Sequence, residues 1–184
     1  MRHTLIARVE DRPGALNRVL GLLRGRGLGL HSIAVGDSEI PGVKRTTVLV
    51  DTDSVEQTIK QLNRLIEVLE VTDVTNSEYV VRETALVKIH VPEPRRAEIK
   101  TVADGFGARI VGSSAQTVVV EMTDTPARLG EMIARAMVIG ACETMRSGSL
   151  AMALGVVGAG PTRRANAAGP EDATRAWWSQ ADGA

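Results

Sequence analysis

The sequence predicts an α+β protein built from two consecutive βαββαβ units and a disordered C-terminal tail. Three observations lead there. Over roughly the first 75 residues the apolar spacing alternates between period two and the three-to-four spacing of a helix face, in the order strand, helix, strand, strand, helix, strand. The same order returns, more weakly, between residues 84 and 155. From about Gly155 the chain turns to Gly, Ala and Pro with no sustained period, the composition of a segment without a core.

The first unit opens with HTLIARV (His3–Val9), where Leu5, Ala7 and Val9 share a face at period two. Gly14 to Arg26 is predicted helical, with Leu16, Val19, Leu20 and Leu23 on one stripe and Gly27 as the stop. LHSIAVG (Leu30–Gly36) reads as a strand, DSEIPG (Asp37–Gly42) as a loop, and KRTTVLVD (Lys44–Asp51) as a β-rich strand. Ser54 and Gln57 have the spacing of a capping box. Behind them Val55, Ile59, Leu62 and Ile66 predict a second helix, and VLEVTDVT (Val68–Thr75) a closing strand. Right-handed crossovers place both helices on one face of the sheet, which is the ferredoxin-like architecture.

The second unit has TALVKIHV (Thr84–Val91) as its first strand and PRRAEIKTVADGF (Pro94–Phe106) as a helix with Ile99, Val102 and Phe106 inward. ARIVG and QTVVVEMT read as strands. Thr125 is a good N-cap before Pro126, and the helix they open buries Leu129, Met132, Ile133 and Ala136. IGACETMRSG carries the last strand. A hinge is expected near Asn76–Glu83.

Composition narrows the function. Lys plus Arg and Asp plus Glu balance at 22 each, against the basic surplus of a nucleic-acid binder. Phe106, Tyr79, Trp177 and Trp178 are the only aromatics, too few for a base-stacking platform. Cys142 is the single cysteine, so no internal disulfide forms and a reduced, cytoplasmic setting is expected. The N-terminal stretch lacks the apolar run of a signal peptide, and no run of about 18 apolar residues spans a membrane.

The stretch VEDRPGALNRVL (Val9–Leu20) carries the chemistry. Pro13 fixes φ at the helix entrance and Gly14 removes a side chain there. The amides of Gly14, Ala15 and Leu16 are expected to point outward with the positive end of the helix dipole, which suits a carboxylate. Asp11 beside them suits an ammonium, so the natural ligand is a zwitterion, a free amino acid. On spacing alone the same residues also fit an ordinary N-cap and turn.

The chain as a whole is more specific. VEDRPGALNRVLGLLRGRGLGLHSIAVG resembles the opening of an ACT domain, the amino-acid-sensing module, in particular that of the small regulatory subunits of acetolactate (acetohydroxyacid) synthase. KQLNRLIEVLEV (Lys60–Val71) is similar to that family's second helix and fourth strand. VRETALVKIHV (Val81–Val91) resembles the start of its C-terminal domain, and RSGSLAMALG (Arg146–Gly155) its close. The likeness implies an N-terminal ACT domain over 1–76, a linker at 77–83, an ACT-like C-terminal domain over 84–155, and a tail over 156–184. It implies a non-catalytic subunit in branched-chain amino acid biosynthesis. Such a subunit forms a homodimer through its ACT domains, binds a branched-chain effector between them, and holds the large catalytic subunit. Thiamine diphosphate, Mg and FAD are then expected on that partner and no cofactor in this chain.

The effector residues implied are Asp11, Pro13, Gly14, Ala15 and Leu16 from one chain, and Gly29, Leu30 and His31 at the start of strand 2 of the facing chain. Two departures stand out. Asp11 occupies a position where branched-chain sensors commonly have Asn. Gly29 occupies one where the family usually has Asn, whose side chain would bond the ligand. Losing a hydrogen bond to a charged group costs ~1.5–3 kcal/mol, which weakens binding by about tenfold or more. Feedback inhibition by valine is therefore expected to be weakened, with assembly and activation retained.

Other residues carry less. His31 fits either a ligand contact or local packing. His3, His90 and Cys142 lack zinc-like spacing. GLGLHSIAVG fails the GxGxxG pattern at Ser32, and GVVGAG opens onto no helix. Arg24 and Arg26 complement the helix dipole. Val48, Val50 and the methionines at 132, 137, 145 and 152 fit core or interface. Two competing functions remain at this level: a stand-alone ACT sensor acting on another partner, which co-purification separates, and an enzyme in its own right, which assay of the chain alone separates.

Overall fold

The computed structural model describes residues 1–25 and 27–155. The expected tail, Trp177, Trp178 and Arg26 lie outside the described residues. The chain forms two compact units. One comprises Met1–Val80 together with the segment from Ala151, and the other Val81–Leu150.

In the first unit β1 (Arg2–Glu10), α1 (Ala15–Gly25), β2 (Gly29–Asp37), β3 (Val43–Asp51), α2 (Val55–Leu62) and β4 (Val68–Asp73) follow in order. The sheet is antiparallel with strand order β2-β3-β1-β4, so β2 and β4 are its edges. Leu5, Ala7 and Val9 face the helices, where they pack with Val19, Leu23, Val48, Val50 and Leu62. The buried stripe of α1 is Ala15, Val19 and Leu23, with Leu16 and Leu20 half-buried at its flanks.

Two local expectations for α2 are corrected. Ser54 holds the N-cap position, but its side chain makes no cap bond; its amide donates to Thr52 Oγ1 (3.2 Å), and its carbonyl receives Thr58 Oγ1 (3.1 Å). Ile66 is not on the core stripe: it is 74% exposed beyond the end of the helix. The reason is a tightening of the backbone. Arg64 donates to Gln61 O and Leu65 to Leu62 O, a winding that breaks the 3.6 period and turns Leu65 inward instead.

The second unit repeats the plan with β5 (Tyr79–His90), α3 (Arg96–Phe106), β6 (Arg109–Ser113), β7 (Thr117–Asp124), α4 (Pro126–Ile139) and β8 (Ala141–Arg146). Its strand order is β6-β7-β5-β8, the same as in the first unit. A single 3₁₀ turn at Glu93–Arg95 leads into α3. Thr125 caps α4 through a bond from the Arg128 amide to its hydroxyl (3.4 Å). Ile99, Ala103, Leu129, Met132, Ala136 and Ile139 fill the core against Ala85, Val87, Ile89, Val118 and Val120. The segment expected as a hinge carries the first residues of β5, and the division between the units falls within it, at Val80/Val81.

A further strand, β9 (Leu150–Ala153), was not foreseen. Its Ala151 and Ala153 pack with Ile6, Val74 and Tyr79 of the first unit, and the Ala151 amide donates to Thr47 Oγ1 (3.3 Å). This explains why β1 is buried on both faces from His3 to Ala7 rather than on alternate residues.

Candidate functional site

The loop between β1 and α1 is shaped by three backbone bonds. The Asp11 amide donates to Gly42 O (2.8 Å), Arg12 N to Glu10 O (2.9 Å), and Ala15 N to Arg12 O (3.1 Å). Gly14 has φ +81°, in the left-handed region, which folds the chain back sharply enough to close the Arg12–Ala15 turn. The Ala15 amide is therefore not open, contrary to expectation, and Ala15 is 2% exposed. The amides of Gly14 and Leu16 donate to no backbone carbonyl among the described residues.

A cation stands over this loop. A Cβ placed on Gly14 would lie 3.3 Å from Arg18 Nη1. Arg18 is four residues into α1, and helical side chains lean back toward the N-terminus, so its guanidinium reaches the mouth. It is held there by an ion pair with the buried Glu67 carboxylate. That pairing is the main reason the Glu67 carboxyl is held below its ordinary range. Asp11 does meet an ammonium, but one from its own chain: Lys44 Nζ is 3.3 Å from Asp11 and 2.5 Å from Asp37. These two carboxylates, Asp37 first, hold the Lys44 pKa above its usual value.

The second group of residues sits on edge strand β2. Gly29 pairs with Asp51 and Leu30 with Val50, and then the register shifts so that Ser32 pairs with Leu49. His31 is the extra residue of this bulge. Its Nε2 bonds the Asp51 carboxylate, with Arg2 Nη2 3.3 Å from that nitrogen and Arg2 Nε 3.8 Å from Asp51 Oδ1. The His31 bond is the main cause of a lowered Asp51 pKa.

The structure keeps these two groups apart within one chain. Arg2 and Asp51 pair at one end of the β1–β3 ladder, beside Gly29, while Glu10 and Val43 pair at the other, beside Asp11. At about 3.3 Å per residue, β1 separates them by roughly 26 Å. No single amino acid spans that distance.

The second unit repeats the edge-strand bulge, with Arg109 opposite Glu121 and a register shift between Ile110 and Gly112. It does not repeat the open loop. Ahead of α3, Arg95 is bound by Glu98 (2.7 and 2.9 Å) and by Ile139 O (2.7 Å), and Glu98 places an acid in the first turn. The acid in the first turn of α3 opposes an anion there, whereas the first turn of α1 has none.

Among the described residues no group of three His, Cys, Asp or Glu is arranged to hold a metal ion. His3 bonds Asp73 (3.0 Å), His90 lies 3.4 Å from Glu143, and Cys142 donates to Gly140 O. No described helix is long and apolar enough to cross a membrane.

Arg18, Lys44, Glu67 and Asp51 were missed by sequence reasoning. Only Arg18 had a local signal, its i+4 spacing from Gly14. Lys44 and Asp51 reach the site through strand register, and Glu67 lies just before β4, its carbonyl accepting from the Glu10 amide.

This fold with this loop places the protein among those carrying ACT domains, and residues 5–70 match the family described as "AHAS small subunit-like ACT domain". Residues 82–155 match the family "Small subunit of acetolactate synthase". A probable acetolactate synthase small subunit from Archaeoglobus fulgidus is 40% identical over 84% of this chain and 98% of its own length. The acetolactate synthase small subunit of Bacillus subtilis is 37% identical over 84% of this chain and 92% of its own. The crystal structure of the small subunit from Thermotoga maritima superposes with a TM-score of 0.77 at 30% identity, covering 85% of this chain and 99% of that one. The chain belongs to the acetolactate synthase small-subunit family.

Proposed function

We propose that this chain is the non-catalytic regulatory subunit that activates the large catalytic subunit of acetolactate synthase and mediates its feedback inhibition by a branched-chain amino acid, valine first among them. The observation that carries the effector reading is the separation of the two groups of site residues along β1. A ligand touching both bridges two copies of the chain.

In this reading a homodimer forms through the ACT domains. The effector carboxylate lies against the Gly14 and Leu16 amides under the Arg18 guanidinium, with Asp11, Pro13 and Ala15 shaping the loop. Gly29, Leu30 and His31 of the facing copy close the pocket, and edge strand β2 is free to bring them there. The effector shifts the dimer toward the arrangement it binds more tightly, and only that difference in affinity transmits a signal. The large subunit carries thiamine diphosphate, Mg and FAD, which supply the carbon–carbon bond chemistry on that partner. The pair works in the cytoplasm.

The test is the activity of the reconstituted pair titrated with valine, leucine and isoleucine. Activation on mixing and inhibition by at least one of the three is the expected result. No change of rate on adding this chain overturns the regulatory role.

A further inference from the structure

We propose that Asp51 is the residue that recognises the effector's ammonium group, in place of the side chain that Gly29 lacks. This inference rests on the effector reading above and adds a residue to it. The ladder puts Asp51 directly across from Gly29, on the strand next to the edge. With no side chain at 29, nothing on β2 at that position stands over the Asp51 side chain. A Cβ there would meet Asp51 Cβ at 3.2 Å and Oδ2 at 3.7 Å. A glycine at this position therefore leaves the Asp51 carboxylate uncovered on that side.

The carboxylate is prepared for a cation. His31 binds one oxygen and Arg2 lies 3.8 Å from the other, so it is fixed in orientation and kept ionised. A carboxylate has about four acceptor positions, and two neighbours leave room for an ammonium. His31 is the bulged residue of β2, which explains how a side chain next to Leu30 on an edge strand turns back over β3. At the other end of the sheet Asp11 holds the Lys44 ammonium at 3.3 Å, closer than Arg2 stands to Asp51.

The consequence is a division of labour. The helix mouth of one copy takes the carboxylate of the effector, and Asp51 of the facing copy takes its ammonium. The ligand class is an α-amino acid with a free amine. Its 2-hydroxy acid analogue, equal in shape but uncharged at that position, is rejected.

The test is calorimetry on the full chain with valine, leucine and isoleucine, and with the 2-hydroxy acid corresponding to each. The wild type is expected to prefer the amino acid by about tenfold or more, the value of one charge-assisted hydrogen bond. In Asp51→Asn that preference should collapse, while the 2-hydroxy acid binds as it does to the wild type. Gly29→Ala tests the same claim without altering a charge, because its methyl presses on Asp51 Cβ and covers the carboxylate; the preference should fall there too. An undiminished preference in both variants overturns the role of Asp51 and leaves the effector site standing. Failure of the wild type to bind any of the three amino acids overturns the effector site itself, and this inference with it.

Discussion

Glu83 and Arg146 form a two-pronged ion pair, with Arg146 Nε 2.9 Å from Glu83 Oε1 and Nη2 2.6 Å from Oε2. Glu83 stands near the start of the second unit and Arg146 is the last residue of β8, four residues before the unit ends. The pair thus clasps the two ends of one unit, with a third bond from Arg146 to Pro126 O (3.4 Å). Glu83 is 6% exposed, with Arg146 as its ion-pair partner. Removing one member of such a pair leaves the other desolvated and unmatched.

Arg146→Met is therefore expected to destabilise the second unit by about 2–4 kcal/mol, read as a shift in the urea midpoint. The double variant Glu83→Gln with Arg146→Met recovers part of the loss, because no buried charge is then stranded. A double variant less stable than Arg146→Met alone would contradict the clasp.

Arg18 and Glu67 provide a pH prediction. The Glu67 carboxyl is held below its ordinary value of 4.5, chiefly by the Arg18 guanidinium. A carboxyl whose folded-state pKa is depressed stabilises the fold fully above its unfolded pKa, and that contribution drains away as pH falls through the folded value. The stability gap between wild type and Arg18→Met should be widest near neutrality and close as pH is lowered below about 4.5. Denaturant melts from pH 7 to 3 measure it. A gap constant over that range means Arg18 stabilises by packing alone.

The legible part of this molecule was its periodicity. Val9, Val19, Leu23, Val48 and Val50 repeat at spacings that only one arrangement buries together, and all are core. Glu83 and Arg146 stand in two separate stretches of family likeness, and only the fold pairs them. What escaped depended on contacts between distant parts of the chain. Asp51 is an unremarkable strand-end acid until the β2–β3 register sets it opposite Gly29. Strand β9 escaped because its pattern is inverted. Large residues Leu150, Met152 and Leu154 point outward, while Ala151 and Ala153 face in. Only a small side chain fits where the strand lies close against Ile6 and Val74, so size rather than hydropathy selects the inner face.

That inversion is testable. Ala151 is 6% exposed in an apolar setting. Ala151→Asp is expected to cost about 2–4 kcal/mol in stability of the first unit, through a buried charge and an overfilled contact. Met152→Gln, on the exposed face, should change it by less than about 0.5 kcal/mol. Equal effects of the two would mean that the inner and outer faces of β9 are wrongly assigned.

Gly14 offers the sharpest test of the effector site. Its φ of +81° disfavours a side chain, but Asp and Asn tolerate this region better than most residues, so Gly14→Asp costs about 1 kcal/mol and still folds. The Cβ of the new side chain lies 3.3 Å from Arg18 Nη1, so its carboxylate enters the place where the effector's own carboxylate is proposed to bind. It occupies the cation, repels a second anion and fills the space the ligand needs. Amino-acid binding measured by calorimetry should disappear, and inhibition of the reconstituted enzyme with it. Activation by the chain should persist, because the loop's backbone bonds from Asp11 to Gly42 and from Arg12 to Glu10 are untouched. Unchanged valine binding in this variant would place the effector elsewhere, and the open amides at the start of α1 would then be no more than an ordinary helix end.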